Sequence, residues 1–216
     1  MKQSCVIGRM GVLAAGLPVG VVLGLLTACP TFSLMAQVAV HATLSARYTS
    51  TLVHDSIVDP FDVRPDIAPS LTAGADLPLS GPWRLELLAD VSTSPLRRHL
   101  SDGTSPTITR LWMLGLAVGL RRQLEPWLHG RLAIGALKYL PASSIGLFQN
   151  GSTLTPYGSV VFVLTPPLAT RHRLALELGG DLHRFLTPTL RNNGFVDPRA
   201  VYRVNAGVRI DLWGQR

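Results

Sequence analysis

Apolar and polar positions alternate along most of the chain from residue 37 onward. The pattern is clearest in residues 200–213, where one face is wholly apolar and the other carries Arg203, Arg209 and Asp211. Successive side chains of a β-strand leave opposite faces, so strict alternation predicts a strand with one apolar face and one charged face. The segment is also long enough to cross a bilayer, which takes about 9–11 tilted residues.

The same pattern predicts eight strands, and their connections alternate in length. The predicted strands are residues 38–51, 68–78, 83–94, 107–121, 127–140, 154–165, 171–185 and 200–213. Short turns at 79–82, 123–126 and 166–170 alternate with long loops at 54–67, 95–106, 141–153 and 186–198. An antiparallel up-and-down barrel places all the turns at one end and all the long loops at the other. The sequence therefore predicts an all-β fold, an eight-stranded antiparallel up-and-down transmembrane β-barrel.

Prolines and aromatic residues agree with this assignment. From Pro60 onward every proline falls in a predicted loop, turn or strand end, as expected where a central ladder needs each backbone N–H. Trp83, Trp127 and Trp213 fall at the short-turn end, where an interfacial aromatic belt would lie. Trp112 lies within its strand and does not fit this belt. Toward the long-loop end fall Tyr48, Tyr139, Tyr157 and Phe185.

The first residues have the form of a secretory signal. Lys2 and Arg9 precede residues 10–29, which contain no charge. We predict a signal segment at residues 1–36, cleaved after Ala36, and a barrel domain at 37–216. Residues 26–29 also match a bacterial lipobox, which would make Cys29 a lipidated N-terminus, and an uncleaved membrane anchor stays open as a third alternative. Both cysteines lie before residue 30, so the barrel domain has no thiol chemistry or disulfide.

Composition and charge narrow the function classes. Hydrophobic residues make up 47 % of the 216-residue chain, and beyond the signal segment they are dispersed in alternation, as in a transmembrane barrel. The net charge of +7 would suit nucleic-acid binding, but the basic residues are almost all arginines spaced singly or in pairs along the strands. This spacing favours basic residues that are distributed over the lumen and the loops, and we expect no nucleic-acid partner.

The strand count, the loop pattern and the signal resemble the small eight-stranded outer-membrane barrels of the OmpA/OmpX type. The resemblance covers about residues 38–213. Residues 205–213 are similar to the assembly signal of that family, with a glycine and alternating apolar residues, although residues 214–216 continue past the last aromatic. The resemblance implies a bacterial outer-membrane location, contact with membrane lipid including lipopolysaccharide, recognition by the barrel-assembly machinery and a monomeric state.

The predicted registration turns one set of charges into the lumen. An eight-stranded barrel has an interior only wide enough for its own side chains, and buried charges there must pair. We therefore predict a lumen plugged by arginine–carboxylate pairs, with a charge-lined ion path as the alternative. The predicted lumen charges are Arg47, Asp76, Arg84, Glu86, Asp90, Arg121, Arg131, Arg173, Glu177, Asp181, Arg203, Arg209 and Asp211.

The sequence offers no convincing catalytic, cofactor or metal site. Outer-membrane lipid A deacylases use a His and a Ser two residues apart, whereas His41 is followed by Thr43 and His129 by Arg131. The spacing of Asp55, Asp59, Asp62 and Asp66 matches no calcium loop, and a solvated acidic loop is expected. Arg97 and Arg98 in the second long loop are predicted to contact lipopolysaccharide phosphates.

These observations predict a structural or surface-interaction role through four long external loops, without enzyme activity and without a cofactor. A narrow pore and a lipid A-modifying enzyme are the alternatives within the outer membrane. A soluble secreted barrel is a further alternative, because alternation alone does not decide which face points outward.

Overall fold

The computed structural model describes residues 38–55, 60–143, 151–166, 174–195 and 197–213, and they form an all-β fold. The predicted signal segment with Cys29, together with Arg173, lies outside the described residues. The ten strands are β1 Ala39–Thr49, β2 Val53–Asp55, β3 Phe61–Pro65, β4 Ala68–Pro78, β5 Trp83–Leu100, β6 Thr107–Glu125, β7 Leu128–Pro141, β8 Thr155–Leu164, β9 Leu174–Phe185 and β10 Arg199–Trp213. One short helix, α1, spans Pro188–Asn192. Of the described helical segments, none has the length and apolar character needed to cross a bilayer.

Eight of the strands form a closed ring. Neighbours along the sheet are β5, β4, β1, β10, β9, β8, β7 and β6, and β6 pairs with β5 to close it. All of these pairings are antiparallel. The predicted eight-stranded up-and-down barrel is confirmed, and each predicted strand corresponds to one strand of the ring.

Burial alternates along the ring strands, with the apolar residues on the outside. In β6, Leu114, Leu116 and Val118 are exposed, whereas Gly115 and Ala117 between them are buried. Across the ring, the exposed residues are large hydrophobics and the fully buried ones include arginines and carboxylates. A soluble barrel has the opposite distribution, so the soluble alternative is wrong.

Trp112 and the lower tryptophans mark two levels of the exterior. Trp83 pairs with Arg122 near the short turns, and ten residues of β6 separate Arg122 from Trp112. At about 3.4 Å per residue and a tilt of about 40°, these levels are about 25 Å apart, the height of the apolar band of outer-membrane barrels. Trp112, which the sequence left unexplained, therefore lies in an upper aromatic girdle with exposed Tyr48 and Tyr202, whose rings are 6.1 Å apart.

The other aromatics at the long-loop end face inward. Tyr139 and Phe185 are almost fully buried and their rings meet edge to face at 5.1 Å. Tyr157 is half-buried and packs against them. They lie toward the long-loop end as predicted, and the strand parity directs their side chains into the barrel.

Parts of two predicted loops are strand instead. β5 and β6 continue past the upper girdle as a ribbon, and only residues 101–106 connect them. β3 pairs with the extension of β5, and β2 pairs with β3. Pro95 lies inside β5, where its carbonyl accepts a hydrogen bond from Asp66 N at 3.0 Å. The expectation that every proline lies outside or at the end of a strand is therefore wrong.

The acidic side chains of the first long loop remain partly exposed where the structure describes them, and they also have basic partners. Asp62 Oδ1 lies 2.8 Å from His54 Nδ1, and Asp66 Oδ2 accepts from Arg97 Nε at 2.7 Å. At the ribbon tip, Asp102 Oδ1 accepts from Thr104 Oγ1 and N, and these bonds hold the pKa of Asp102 below its usual value. The described parts of the loops around the ribbon are therefore cross-linked by hydrogen bonds and ion pairs.

Candidate functional site: the barrel lumen

Charged side chains fill the lumen at two levels. Nearer the short turns lies a six-residue cluster, here called the turn-end network. Its members are Asp76, Glu86, Glu177, Arg121, Arg131 and Arg209. Nearer the long loops lie two ion pairs, Arg47–Asp90 and Arg203–Asp181, here called the loop-end pairs.

Glu86 is the centre of the turn-end network. Its side chain is 0 % exposed. Oε2 accepts a hydrogen bond from Arg131 Nη1 at 3.0 Å, and Oε1 accepts one from Arg209 Nη1 at 3.4 Å. Arg121 Nε lies 3.2 Å from Oε1. One carboxylate therefore neutralises charge from three strands at once.

The remaining carboxylates share the same arginines. Asp76 Oδ2 lies 2.8 Å from Arg121 Nη2 and 2.9 Å from Arg209 Nη2. Glu177 Oε1 lies 3.4 Å from Arg131 Nη1 and 3.6 Å from Arg209 Nη1. Arginine suits this bridging because its planar guanidinium presents several donors in a fixed geometry.

The sheet register places like charges opposite each other and favours bridging across the lumen. Asp76 stands directly opposite Glu86 on β4 and β5, and Arg121 stands opposite Arg131 on β6 and β7. Like charges directly opposite each other destabilise a strand pair. Most of the ion pairs therefore join strands that are not neighbours in the sheet, such as Glu86 on β5 with Arg131 on β7, and they tie distant strands together across the interior.

Glycines provide the space that these side chains occupy. Asp90 pairs with Gly115, Glu86 with Gly119, and Glu177 with Gly207. A Cβ on Gly115 would overlap the Asp90 carboxylate, and one on Gly207 would overlap Ser45 and the Leu44 carbonyl. In the sequence, this space is indicated by the two inward-facing glycines of β6, Gly115 and Gly119.

One of the loop-end pairs, Arg203–Asp181, continues as a polar chain through His183 to the Tyr139 hydroxyl. Arg47 Nη1 donates to Asp90 Oδ2 at 2.6 Å, and Arg203 Nε donates to both oxygens of Asp181 at 2.8 and 3.0 Å. His183 Nδ1 lies 3.4 Å from Asp181 Oδ1. His183 Nε2 and the Tyr139 hydroxyl are 2.8 Å apart. This chain ends against apolar residues.

Those apolar residues close the outer end of the lumen, and we call them the apolar cap. The cap combines inward residues of the upper strands with residues of the external loops. Its buried members are Leu52, Val53, Val63, Ala68, Leu96, Leu111, Met113, Leu137, Tyr139, Phe185, Leu190 and Val201. Helix α1 fixes Leu190 in the cap, because Thr187 caps the helix by accepting from Leu190 N at 3.1 Å. The lumen thus has a hydrophobic closure above a charged one.

The remaining predicted lumen charges have different environments. Asp211 lies 3.0 Å from Arg209 Nε, but its side chain is half exposed at the barrel end. Arg84 is half-buried, and no described carboxylate forms an ion pair with it. Trp83 and Trp127 are exposed at the short-turn end, and Trp213 is the last residue of β10.

His41 also joins the turn-end network. It is 1 % exposed, with Nδ1 3.4 Å from Asp76 Oδ1, and possible ligand atoms of His41, Asp76 and Glu86 lie within 4.8 Å of one another. This grouping could hold a metal in isolation. Both carboxylates, however, are already neutralised by guanidinium groups, so a divalent cation would add uncompensated charge to a balanced cluster. The donor set fits an ion-pair network better than a metal site.

Arg97 and Arg98 lie on opposite faces of the external ribbon. Arg97 is held by Asp66 and also donates from Nη1 to the Ser105 carbonyl at 3.3 Å. The Arg98 guanidinium carbon lies 4.2 Å from the centre of the Phe61 ring. Arg98 pairs with buried Val63, which places it on the face that packs toward the cap. Both side chains are therefore engaged within the protein.

No family of known proteins matches the chain, and neither does any curated protein. Several solved structures are similar to it. Neisserial surface protein A is 11 % identical, with a TM-score of 0.44 over 81 % of this chain and 97 % of that one. Ail, the attachment invasion locus protein of Yersinia pestis, is 9 % identical in its complex with sucrose octasulfate, with a TM-score of 0.42 over 80 % and 97 % of the two chains. A designed transmembrane β-barrel is 12 % identical, with a TM-score of 0.39 over 81 % and 95 %.

Because these sequence identities and TM-scores are low, the class of the protein is inferred from its own surface and interior. The ring is closed, its exterior is apolar between two aromatic girdles, and its buried charges lie inside. Lipid is the only solvent that suits such an exterior, and closed barrels of this kind with short turns and longer external loops are outer-membrane proteins. The chain is an outer-membrane β-barrel protein.

Proposed function

We propose that the protein is a sealed, monomeric barrel of the OmpA/OmpX type that acts in envelope structure or surface interaction through its external loops and ribbon. The double closure of the lumen carries this proposal. The turn-end network and the apolar cap block the same path at different levels. Ions could cross the lumen only if side chains of both the turn-end network and the apolar cap were displaced.

The external ribbon supports a role at the cell surface. Its strands extend well beyond the upper girdle and carry a polar outer face that includes His54, Asp62, Arg64 and His99. These groups are cross-linked, since Arg64 Nε donates to His99 Nε2 at 3.1 Å and His54 contacts Asp62. A cross-linked polar face is rigid enough to present a fixed surface to a partner. An anionic partner would have to displace Asp66 to reach Arg97.

The direction of the histidines supports a role without lipid chemistry. His41 and His183 are buried in the lumen, and His129 lies on the same inward face of its strand. The His183–Tyr139 pair lies beneath the apolar cap. An enzyme acting on membrane lipid needs its base and nucleophile within reach of the bilayer. His41, His129 and His183 do not meet that requirement.

Planar-bilayer recording tests the sealed lumen. The intact protein is expected to show no stable conductance steps. Met113→Ala in the cap and Arg131→Ala in the turn-end network each weaken one closure, so each variant is also expected to stay closed. Stable steps in the unmodified protein would favour the narrow pore and contradict the proposal. Lipid A of altered mass on overexpression would favour the enzyme.

A further inference from the structure

Arg110 on β6 and Lys138 on β7 are basic residues on the lipid-facing surface. Both side chains are exposed, and both lie on the outward face, because Arg110 shares the parity of Trp112 and Lys138 pairs with Leu114. No carboxylate among the described residues forms an ion pair with either one. Two uncompensated cations on a surface built for hydrocarbon require an anionic partner or water.

The height of Arg110 and Lys138 on the barrel indicates that the anionic partner is a lipid headgroup. Arg110 is two residues above Trp112 along β6, and Lys138 stands opposite Leu114, two residues below it. Trp112 lies at the outer interface, where aromatic side chains meet the lipid headgroups. A lysine just inside the apolar band extends its ammonium toward the interface, that is, toward the level of Trp112. The two cations therefore flank the headgroup level from both sides.

The lower girdle, near the short turns, also has a cation beside a tryptophan, but that cation already has a partner. Arg122 is also exposed and lies beside a tryptophan, with its guanidinium carbon 5.2 Å from the centre of the Trp83 ring. It is a single cation, and it is engaged in a cation–π contact. The outer girdle instead has two cations on adjacent strands, with no described acidic or aromatic partner for either.

We propose that Arg110, Lys138 and Trp112 form a binding site for a phosphorylated lipid headgroup of the outer leaflet, with lipopolysaccharide as its occupant. The guanidinium and ammonium groups bind phosphate oxygens, and the indole ring packs against the upper acyl chains. The inference rests on the membrane orientation in the proposed function and adds a specific lipid partner. It also assigns the anion contact to residues other than Arg97 and Arg98, which are engaged within the ribbon.

Native mass spectrometry of the protein purified from membranes in mild detergent tests this site. The probe is phosphorylated lipopolysaccharide, and its apparent Kd is compared with that of the same lipid after phosphatase treatment. The double variant Arg110→Gln, Lys138→Gln is expected to weaken binding by about 30-fold. Each basic residue near an anionic lipid surface contributes about fivefold in affinity, and the two contributions multiply. The unmodified protein is expected to bind the dephosphorylated lipid as weakly as the double variant does.

Arg122→Gln is the matched control, because it removes a cation beside a tryptophan at the other interface. We expect it to leave lipopolysaccharide binding nearly unchanged. Equal affinity of the double variant and the unmodified protein would overturn the proposal, and so would an equal loss in Arg122→Gln. Displacement of the lipid by inorganic phosphate alone would overturn the lipid as occupant.

A gel-mobility shift between unboiled and boiled samples shows that each variant is a folded barrel. Loss of lipid affinity is interpreted only in variants that keep this shift. Conductance in the unmodified protein would contradict the sealed barrel and leave the lipid site standing, so the two failures are distinguishable.

Discussion

Replacement of Glu86 by Gln is expected to lower the free energy of unfolding by about 3–5 kcal/mol, the cost of leaving buried charge without its partner. The substitution keeps the shape of the side chain and removes its charge. Arg121, Arg131 and Arg209 then face only Asp76 and Glu177. Urea unfolding of the barrel in detergent micelles, followed by tryptophan fluorescence, measures the change.

Glu125→Gln is the matched control for this prediction. Glu125 ends β6 at the exposed short-turn end, and the structure gives it no ion pair with a described residue. Its replacement is expected to change stability by less than about 0.5 kcal/mol. Adding Arg131→Gln to Glu86→Gln removes the excess positive charge of the network and is expected to restore part of the loss. Equal stability of Glu86→Gln and the unmodified protein would show that the network does not hold the strands together.

Leu116→Arg is expected to cost about 2–4 kcal/mol of stability in a lipid bilayer, because it places a cation at the bilayer midplane. Leu116 is 68 % exposed and lies about midway between Trp112 and Arg122 on β6. In water, a charge at so exposed a position would be nearly neutral. Unfolding in phospholipid vesicles therefore reports directly on which solvent surrounds this face.

Ile67→Arg is a control matched in exposure and chemistry. Ile67 is 67 % exposed but lies just before β4, at the upper end of the barrel. A cation near the interface costs only about 0–1 kcal/mol. A difference between the two variants is the predicted result. Equal costs would mean that the surface around Leu116 is not in hydrocarbon.

The ring could be predicted because its exterior obeys a period of two. Residues 68–78 were assigned without error, and β10 differs from its prediction by one residue. A lipid-facing exterior needs an apolar residue at nearly every outward position, so apolar and polar residues alternate along each strand. The alternation also set the inward parity of charges such as Glu86 and Arg203, which the structure places in the lumen.

The interior closures could not be predicted in the same way. The apolar cap uses Leu111, Met113 and Leu137, which face inward where alternation predicts polar residues. Near the loops the lumen wall packs against loop residues, so both faces of a strand become apolar and the period of two is lost. Which arginine meets which carboxylate depends on register and on glycines such as Gly119, and neither follows from the spacing within a single strand.

The strands β2 and β3 and the extension of β5 were missed for a related reason. Pro65 and Pro95 were interpreted as signs of a loop, because proline cannot donate to a ladder. In the ribbon, which lies outside the closed ring, the loss of one donor is tolerated, and the Pro95 carbonyl still accepts from Asp66 N. The rule applies to the ring and not to its external extension.

Membrane fractionation followed by electrophoresis of unboiled and boiled samples tests the transmembrane barrel most directly. The protein is expected in the outer-membrane fraction, and the two samples are expected to migrate differently, because a barrel whose backbone hydrogen bonds form a closed ring keeps its fold in detergent until it is heated. Recovery in the soluble periplasm with identical migration would contradict a lipid-facing exterior and, with it, the assignment of the buried charges to a sealed lumen.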